Sequence, residues 1–358
     1  MHPLRLFLFL LVLTLGSSSL VHAKNLCSVT LGSDDELKFY KSVLQKNGEL
    51  SQSYEISRPG WDFTSSFKDF CQRQIPCDVL VISSHYDGID FYGEDLKSKL
   101  KKPGLISKDQ LMDYASQNIC PQFFTAPKEV YLFGCNTLAK NNLYQRSPEQ
   151  YAESLRKAGM NEYDIQRITA ERFSSTLSFG ILTYDLMRAL FPNALITGYM
   201  DIGIAGPRAV SYLKNFSGSS SQLPEYLQKK VPGMIVAEGL QRRSDAAASL
   251  KMQRILRLHS IPPGKNISAG LQIINQIFRE QDVGSYLPEI ESFLFRHREA
   301  LEDITANPSG QQSLLKYWQD IQKKNQDKDK DYLIGVRLSS IFILLNWPTD
   351  EFDRFREE

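Results

Sequence analysis

The residues best able to do covalent chemistry in this chain are its five cysteines (Cys27, Cys71, Cys77, Cys120, Cys135) and five histidines (His2, His22, His85, His259, His297). A cysteine attacks as the thiolate, and with an ordinary pKa of about 8.5 it is scarcely ionised at neutral pH, so a neighbouring imidazole is the usual activator. His2 and His22 fall in an apolar leader, while His259 and His297 lie in a helical tail beside Arg257, Arg296 and Arg298. Only His85 belongs to the strand-rich part. It directly follows the apolar stretch Val79 to Ser84 in "DVLVISSHYDG" (Asp78 to Gly88), fifty positions before Cys135, which closes "KEVYLFGC". If the two apolar runs are neighbouring parallel strands, both side chains emerge on one rim of a sheet. The plainer alternative is a satisfied histidine and an inert buried thiol, and exposure separates the two.

The elements that would position the pair follow from the apolar patterning. Strands are expected at Asn25 to Leu31, Gln52 to Ser57, Val79 to Ser84, Lys128 to Gly134 and Asn193 to Met200. Between them come amphipathic helices. One opens at Ser33, with Glu36 three residues on as a capping box; another runs from Trp61 to Gln74 with Phe63, Phe67 and Phe70 on one face; a third covers "SKDQLMDYASQN". A fourth starts at Ser147 with Pro148 and Gln150, and a fifth covers "FGILTYDLMRALF". Strands alternating with helices, and apolar on both faces, predict an α/β fold with a mostly parallel sheet covered by helices. Ligands of such open sheets sit outside the carboxyl ends of the strands, where His85 and Cys135 fall.

Residues 1–23 have the form of a secretory signal: Arg5, the run "LFLFLLVLTLG" and a small-residue stop at "VHA". The apolar run is shorter than the ~20 residues that a bilayer requires, so the mature product is expected to be secreted or periplasmic, with no membrane attachment after cleavage. The remainder is long enough for two domains or one large one. With 42 basic and 41 acidic residues in the whole chain, nothing favours an electrostatic grip on nucleic acid. In an oxidising compartment four cysteines can pair in three ways, leaving one over, and Cys135 is the one expected to stay free. Cys71 and Cys77 have five residues between them and no matching second pair, which favours a local disulfide over zinc. "NFSGSSSQLP" reads as a linker or loop at 216–224, dividing a sheet domain (24–215) from a helical C-terminal region (225–358). "DKDKD" (Asp327 to Asp331) imitates a calcium loop, but Tyr332 and Leu338 stand where its glycine and glutamate belong, so a solvated charge run is the better reading.

The segments "VLVISSHYDG" and "VYLFGCNTLA" resemble the two hallmark segments of the caspase-like clan of cysteine peptidases, the second being close to the strand plus "ACNT" pattern of bacterial CHAT domains. The fifty-residue interval matches that recorded for caspases. The resemblance covers residues 24 to about 215 and implies a three-layer caspase-like sandwich and an endopeptidase acting on protein or peptide substrates without metal or cofactor. His85 would be general base and acid, Cys135 the nucleophile, and the N–H groups of Cys135 and Gly88 the oxyanion donors. Gly134 would let the chain bend before the nucleophile. The clan places glycine directly after the histidine, whereas here Tyr86 and Asp87 intervene, so either the Tyr86 N–H substitutes or Gly88 folds back. Asp201, leaving the fifth strand at the same rim, would select basic substrates; Arg208 would select acidic ones, and Asp87 and Asp90 are further candidates. A caspase-like fold retained as a non-catalytic binding module is the alternative. A thiol redox protein is disfavoured by the lack of a Cys-x-x-Cys pair.

Overall fold

The computed structural model describes residues 23–58, 61–86, 90–93, 106–139, 183–204, 206–242, 246–263, 267–277 and 286–297, with isolated positions between 149 and 165. Most of the expected signal, the helix after Ser147 apart from a few positions, Asp87, Gly88 and the 327–331 charge run lie outside the described residues.

The five expected strands form at β1 (Lys24–Thr30), β2 (Leu50–Ser57), β3 (Val79–Ser83), β7 (Glu129–Phe133) and β8 (Leu195–Tyr199), and all run parallel in one sheet. β4 (His85–Tyr86), β5 (Asp90–Tyr92) and β6 (Ile106–Ser107) make a small antiparallel sheet beside it. The main sheet has the order β2-β1-β3-β7-β8-β9, in which β9 (Met234–Glu238) is antiparallel to β8 and forms an edge. Residues of β9 lie beyond the boundary expected at 215, so the sheet unit continues into what the sequence suggested was a helical tail. The 216–224 stretch is likewise no linker. Ser220 is buried in a short 3-10 turn, its hydroxyl receiving the Lys24 ammonium at 2.7 Å and donating to Glu49.

Among the described residues the strands are joined by α1 (Asp35–Lys46), α2 (Phe63–Gln72), α3 (Lys108–Ser116), α4 (Pro121–Phe124), α5 (Thr183–Leu190), α6 (Pro207–Leu213) and α7 (Leu223–Lys230). Alternation along β3 and β7 divides the core. Leu80, Ile82, Val130 and Leu132 face Phe63, Phe67, Phe123 and Leu186, while Val79, Val81, Tyr131 and Phe133 face Leu37, Tyr40, Leu213 and Leu227. The result is a helix–sheet–helix sandwich. The C-terminal helices α8 (Ala246–His259), α9 (Ile267–Ile277) and α10 (Leu287–Arg296) extend the first of these cores through Met252, Ile255, Ile274 and Phe293, α8 lying against α3 and α5.

The local Cys71–Cys77 disulfide does not form. Cys27 pairs with Cys77 and Cys71 with Cys120, at Cα separations of 5.6 and 5.0 Å. The reason is elemental: Cys71 sits in the last turn of α2 next to the approach to α4, whereas Cys77 enters β3 alongside β1. Cys135 is the free cysteine, as expected. Two disulfides suit an oxidising compartment. No helix among the described residues is long and apolar enough to cross a membrane.

Candidate functional site

β3 and β7 are paired in register from Val79↔Glu129 to Ser83↔Phe133, and the pairing reaches one step beyond, where Ser84 N–H donates to Phe133 O at 2.9 Å. Two residues past the last pair, the chains deliver His85 and Cys135 at the same carboxyl rim. Gly134 permits this approach through the absence of a Cβ and not through a left-handed backbone. A side chain there would meet the Ser84 carbonyl oxygen at 2.8 Å and the Tyr86 Cβ at 3.2 Å. The glycine is therefore required where two strand exits touch, which refines the bend expected from sequence.

His85 is half-buried and stacks on Tyr92, its cross-strand partner in β5, with ring centroids 5.5 Å apart. Tyr86 is buried and stacks on Phe91 at 4.3 Å. Tyr86, the first of the two residues intervening between histidine and glycine, thus serves as an anchor of the small sheet. Gly88 and Asp87 lie outside the described residues, as does the side chain of Asp90.

Cys135 is half-buried, its Sγ 4.0 Å from Gly203 O. The turn that carries it is fixed from β8. Asn136, at φ 59°, donates its N–H to Asp201 O at 2.7 Å, and Leu138 N–H donates to Tyr199 O at 2.8 Å. Thr137 Oγ accepts from Tyr199 N–H at 3.0 Å and donates back to Gly134 O at 3.3 Å. Asparagine tolerates the left-handed region better than most residues, so its position directly after the thiol is physically apt. Asp201 is therefore beside the cysteine through its backbone, at the rim anticipated from sequence. Arg208 stands farther on, in the first turn of α6 and exposed.

The loop after β8 closes the site's third side. Tyr199 donates its hydroxyl to Ile204 O at 2.7 Å, and a Cβ on Gly203 would meet the Tyr199 ring at 2.7 Å and Gly134 O at 2.9 Å. Burial raises the Tyr199 phenol well above its ordinary range, with the nearby Glu36 carboxylate and Cys135 adding to the rise.

Two polar features escaped the sequence. Glu36 was expected to cap α1. Instead the N-cap is Asp34, Ser33 Oγ accepts from Asp35 N–H at 3.1 Å, and the Glu36 side chain turns inward, fully buried. It accepts from Ser83 Oγ at 2.9 Å and from Gly206 N–H. Burial raises its pKa; Asp35 adds to the rise, and the hydrogen bonds pull the other way. The second feature is His259, which is buried between Asp113 Oδ1 at 3.3 Å and Glu289 Oε2 at 3.0 Å, with Lys108 Nζ 2.8 Å from Glu289 Oε1 and Arg296 3.2 Å from Asp113. Asp109, His259 and Glu289 bring donor atoms within 4.8 Å of one another, but a cation there would have to displace the Lys108 ammonium, so the cluster reads as an internally compensated ion network. No short-range pattern links positions 108, 259 and 289.

Compared with known protein families, with curated proteins and with solved structures, the chain matches none.

Proposed function

We propose that the protein is an exported cysteine endopeptidase in which His85 and Cys135 act as a dyad. The observation that carries the reading is the in-register exit of β3 and β7, with Ser84 N–H on Phe133 O and Gly134 pressed against the Ser84 carbonyl. That exit puts an imidazole and the free thiol on one rim while the other four cysteines are tied up in disulfides.

In this reading His85 takes the Cys135 proton, and the thiolate adds to the scissile carbonyl. Charge developing on that oxygen is met by the Cys135 N–H and, through the clan resemblance, by that of Gly88. Collapse breaks the C–N bond as the His85 imidazolium returns its proton to the leaving amine. Water, deprotonated by the same imidazole, then hydrolyses the thioester and frees the thiol. Asp201 is the residue proposed to favour Arg or Lys in the substrate.

The test is labelling with iodoacetamide at neutral pH, followed by peptide mapping. Cys135 should be modified alone, and His85→Ala should slow that modification by roughly tenfold or more, since a positioned base is worth ~10²-fold or more. A peptide library should be cleaved by the wild type and not by Cys135→Ala. Labelling that ignores the loss of His85 refutes the dyad. The stacking of His85 on Tyr92 favours one alternative, a binding module whose imidazole is held as part of an aromatic pair; labelling of Cys135 without cleavage of any peptide would assign it.

A further inference from the structure

The loop that borders Cys135 is tied down by a group that neither the clan resemblance nor the dyad uses. Glu36 lies in the first turn of α1, forty-seven positions from Ser83 and 170 from Gly206, yet its carboxylate joins the two. Ser83 is the last residue of the strand that delivers His85. Gly206, at φ 64°, is the N-cap of α6 and ends the loop that places Gly203 O near the Cys135 sulfur. A buried carboxylate is costly unless its oxygens are satisfied. Two donors from the segments flanking the reactive rim supply that satisfaction. An apolar side chain would fill the same pocket without the cost, so burial alone does not explain the choice of glutamate.

We propose that Glu36 is a positioning residue: by accepting from Ser83 Oγ and Gly206 N–H it pins the loop after β8 to the His85 strand and fixes the wall against which a peptide lies beside Cys135. The inference rests on the peptidase reading for its consequence in turnover, but its structural half is independent of it. Loss of the carboxylate should free the 203–206 loop while leaving β3 and β7, and hence the dyad, in place. Misplacing a binding wall by about 1 Å is enough to cost ~10²-fold in the rate with a peptide.

Three variants test it: Glu36→Ala, Glu36→Gln, which keeps an oxygen for Gly206 N–H and an N–H for Ser83 Oγ, and Ser83→Ala, which removes one donor and is the gentlest to the fold. Amide exchange of Gly206 is expected to accelerate at least about tenfold in Glu36→Ala, to return most of the way in Glu36→Gln, and to be intermediate in Ser83→Ala, the protection of a pinned loop being the free energy of its local opening. With peptide substrate, Glu36→Ala should raise KM more than it lowers kcat, whereas its Cys135 alkylation should stay within about threefold of the wild type because a small alkylator needs no wall. Unchanged Gly206 exchange overturns the inference, as does an unchanged KM with lost protection. If Glu36→Ala does not fold, the same two outcomes in Ser83→Ala decide. A wild type that cleaves no peptide overturns the peptidase reading, and the positioning role in turnover with it, while the exchange result still settles whether Glu36 pins the loop.

Discussion

Replacing Glu289 by glutamine isolates the polar cluster that binds the C-terminal helices to α3. The Glu289 side chain is 1% exposed and that of His259 0%, so neither is screened by solvent. Burial pushes the Glu289 carboxyl up, but the Lys108 ammonium and the His259 ring outweigh it and hold the group at about 2. The downward shift from 4.5 corresponds to about 3 kcal/mol at ~1.4 kcal/mol per pKa unit. Removing one partner from a buried pair independently suggests about 3–5 kcal/mol, because the lysine and imidazole left behind lose their compensation. A loss of about 3 kcal/mol is therefore expected at pH 6 in urea unfolding followed by circular dichroism. The signs give the pH dependence. Glu289 has a depressed pKa, so its contribution is present above 4.5 and is lost as the pH falls toward 2. For His259 burial lowers the pKa, but the hydrogen bonds to Asp113 and Glu289 overcome it and leave a net rise. Its contribution is full below 6.5 and lost as the pH climbs through the raised value. The gap between wild type and Glu289→Gln should be widest between about pH 5 and 6.5 and close below pH 3. Asp113, whose side chain is 35% exposed, should cost less than about 1 kcal/mol as Asp113→Asn. Equal losses at the two positions, or a Glu289→Gln loss that persists unchanged at pH 2, would refute the argument.

Removing the disulfide between Cys71 and Cys120 by a double serine substitution releases a span of 49 residues and should cost about 4 kcal/mol by the loop-entropy relation; reversible unfolding with and without reductant measures it. Gly134→Ala drives a methyl group into the Ser84 carbonyl, which should cost about 1–3 kcal/mol in melting experiments and separate the two strand exits. Alkylation of Cys135 in that variant should then lose its dependence on His85, and retention of that dependence would show that the rim tolerates the added carbon.

The parallel sheet was legible because each interior strand is a short apolar run between capped helices, and periodicity reports such runs directly. β9 was not, since "MIVAE" is brief and its burial is mixed, as befits an edge strand. Placing His85 and Cys135 on one rim required only that consecutive core strands be neighbours. What lay beyond reach was long-range polar pairing. Glu36 matches a capping box by spacing, yet the Ser33 hydroxyl bonds locally to Asp35, and the glutamate is drawn toward donors from residues 83 and 206 that no window around α1 contains. The disulfides failed for the same reason: proximity in sequence favoured Cys71 with Cys77, whereas partners about fifty residues apart were made adjacent by the crossover connections.

For the proposed nucleophile, the arrangement of those disulfides also bears on how a thiol would persist in an oxidising compartment. Exchange requires a thiolate to reach a disulfide sulfur, so separation within the fold protects as well as redox potential does. Cys27 stands mid-strand in β1, opposite Leu80, and Cys77 precedes β3 altogether, so this disulfide lies back from the carboxyl ends of the strands. Cys71 and Cys120 lie on the same side of the sheet as Cys27 and Cys77, in the core built by Phe63, Phe67 and Phe123. Cys135 follows Phe133, which faces the opposite core, and it emerges at the carboxyl rim. Measured along β3, Leu80 is three residues short of the strand's last residue, Ser83, or about 10 Å at ~3.3 Å per residue. Both disulfides thus lie in the core on one face of the sheet, set back from the carboxyl rim at which Cys135 emerges, the edge where open sheets of this kind present their ligands.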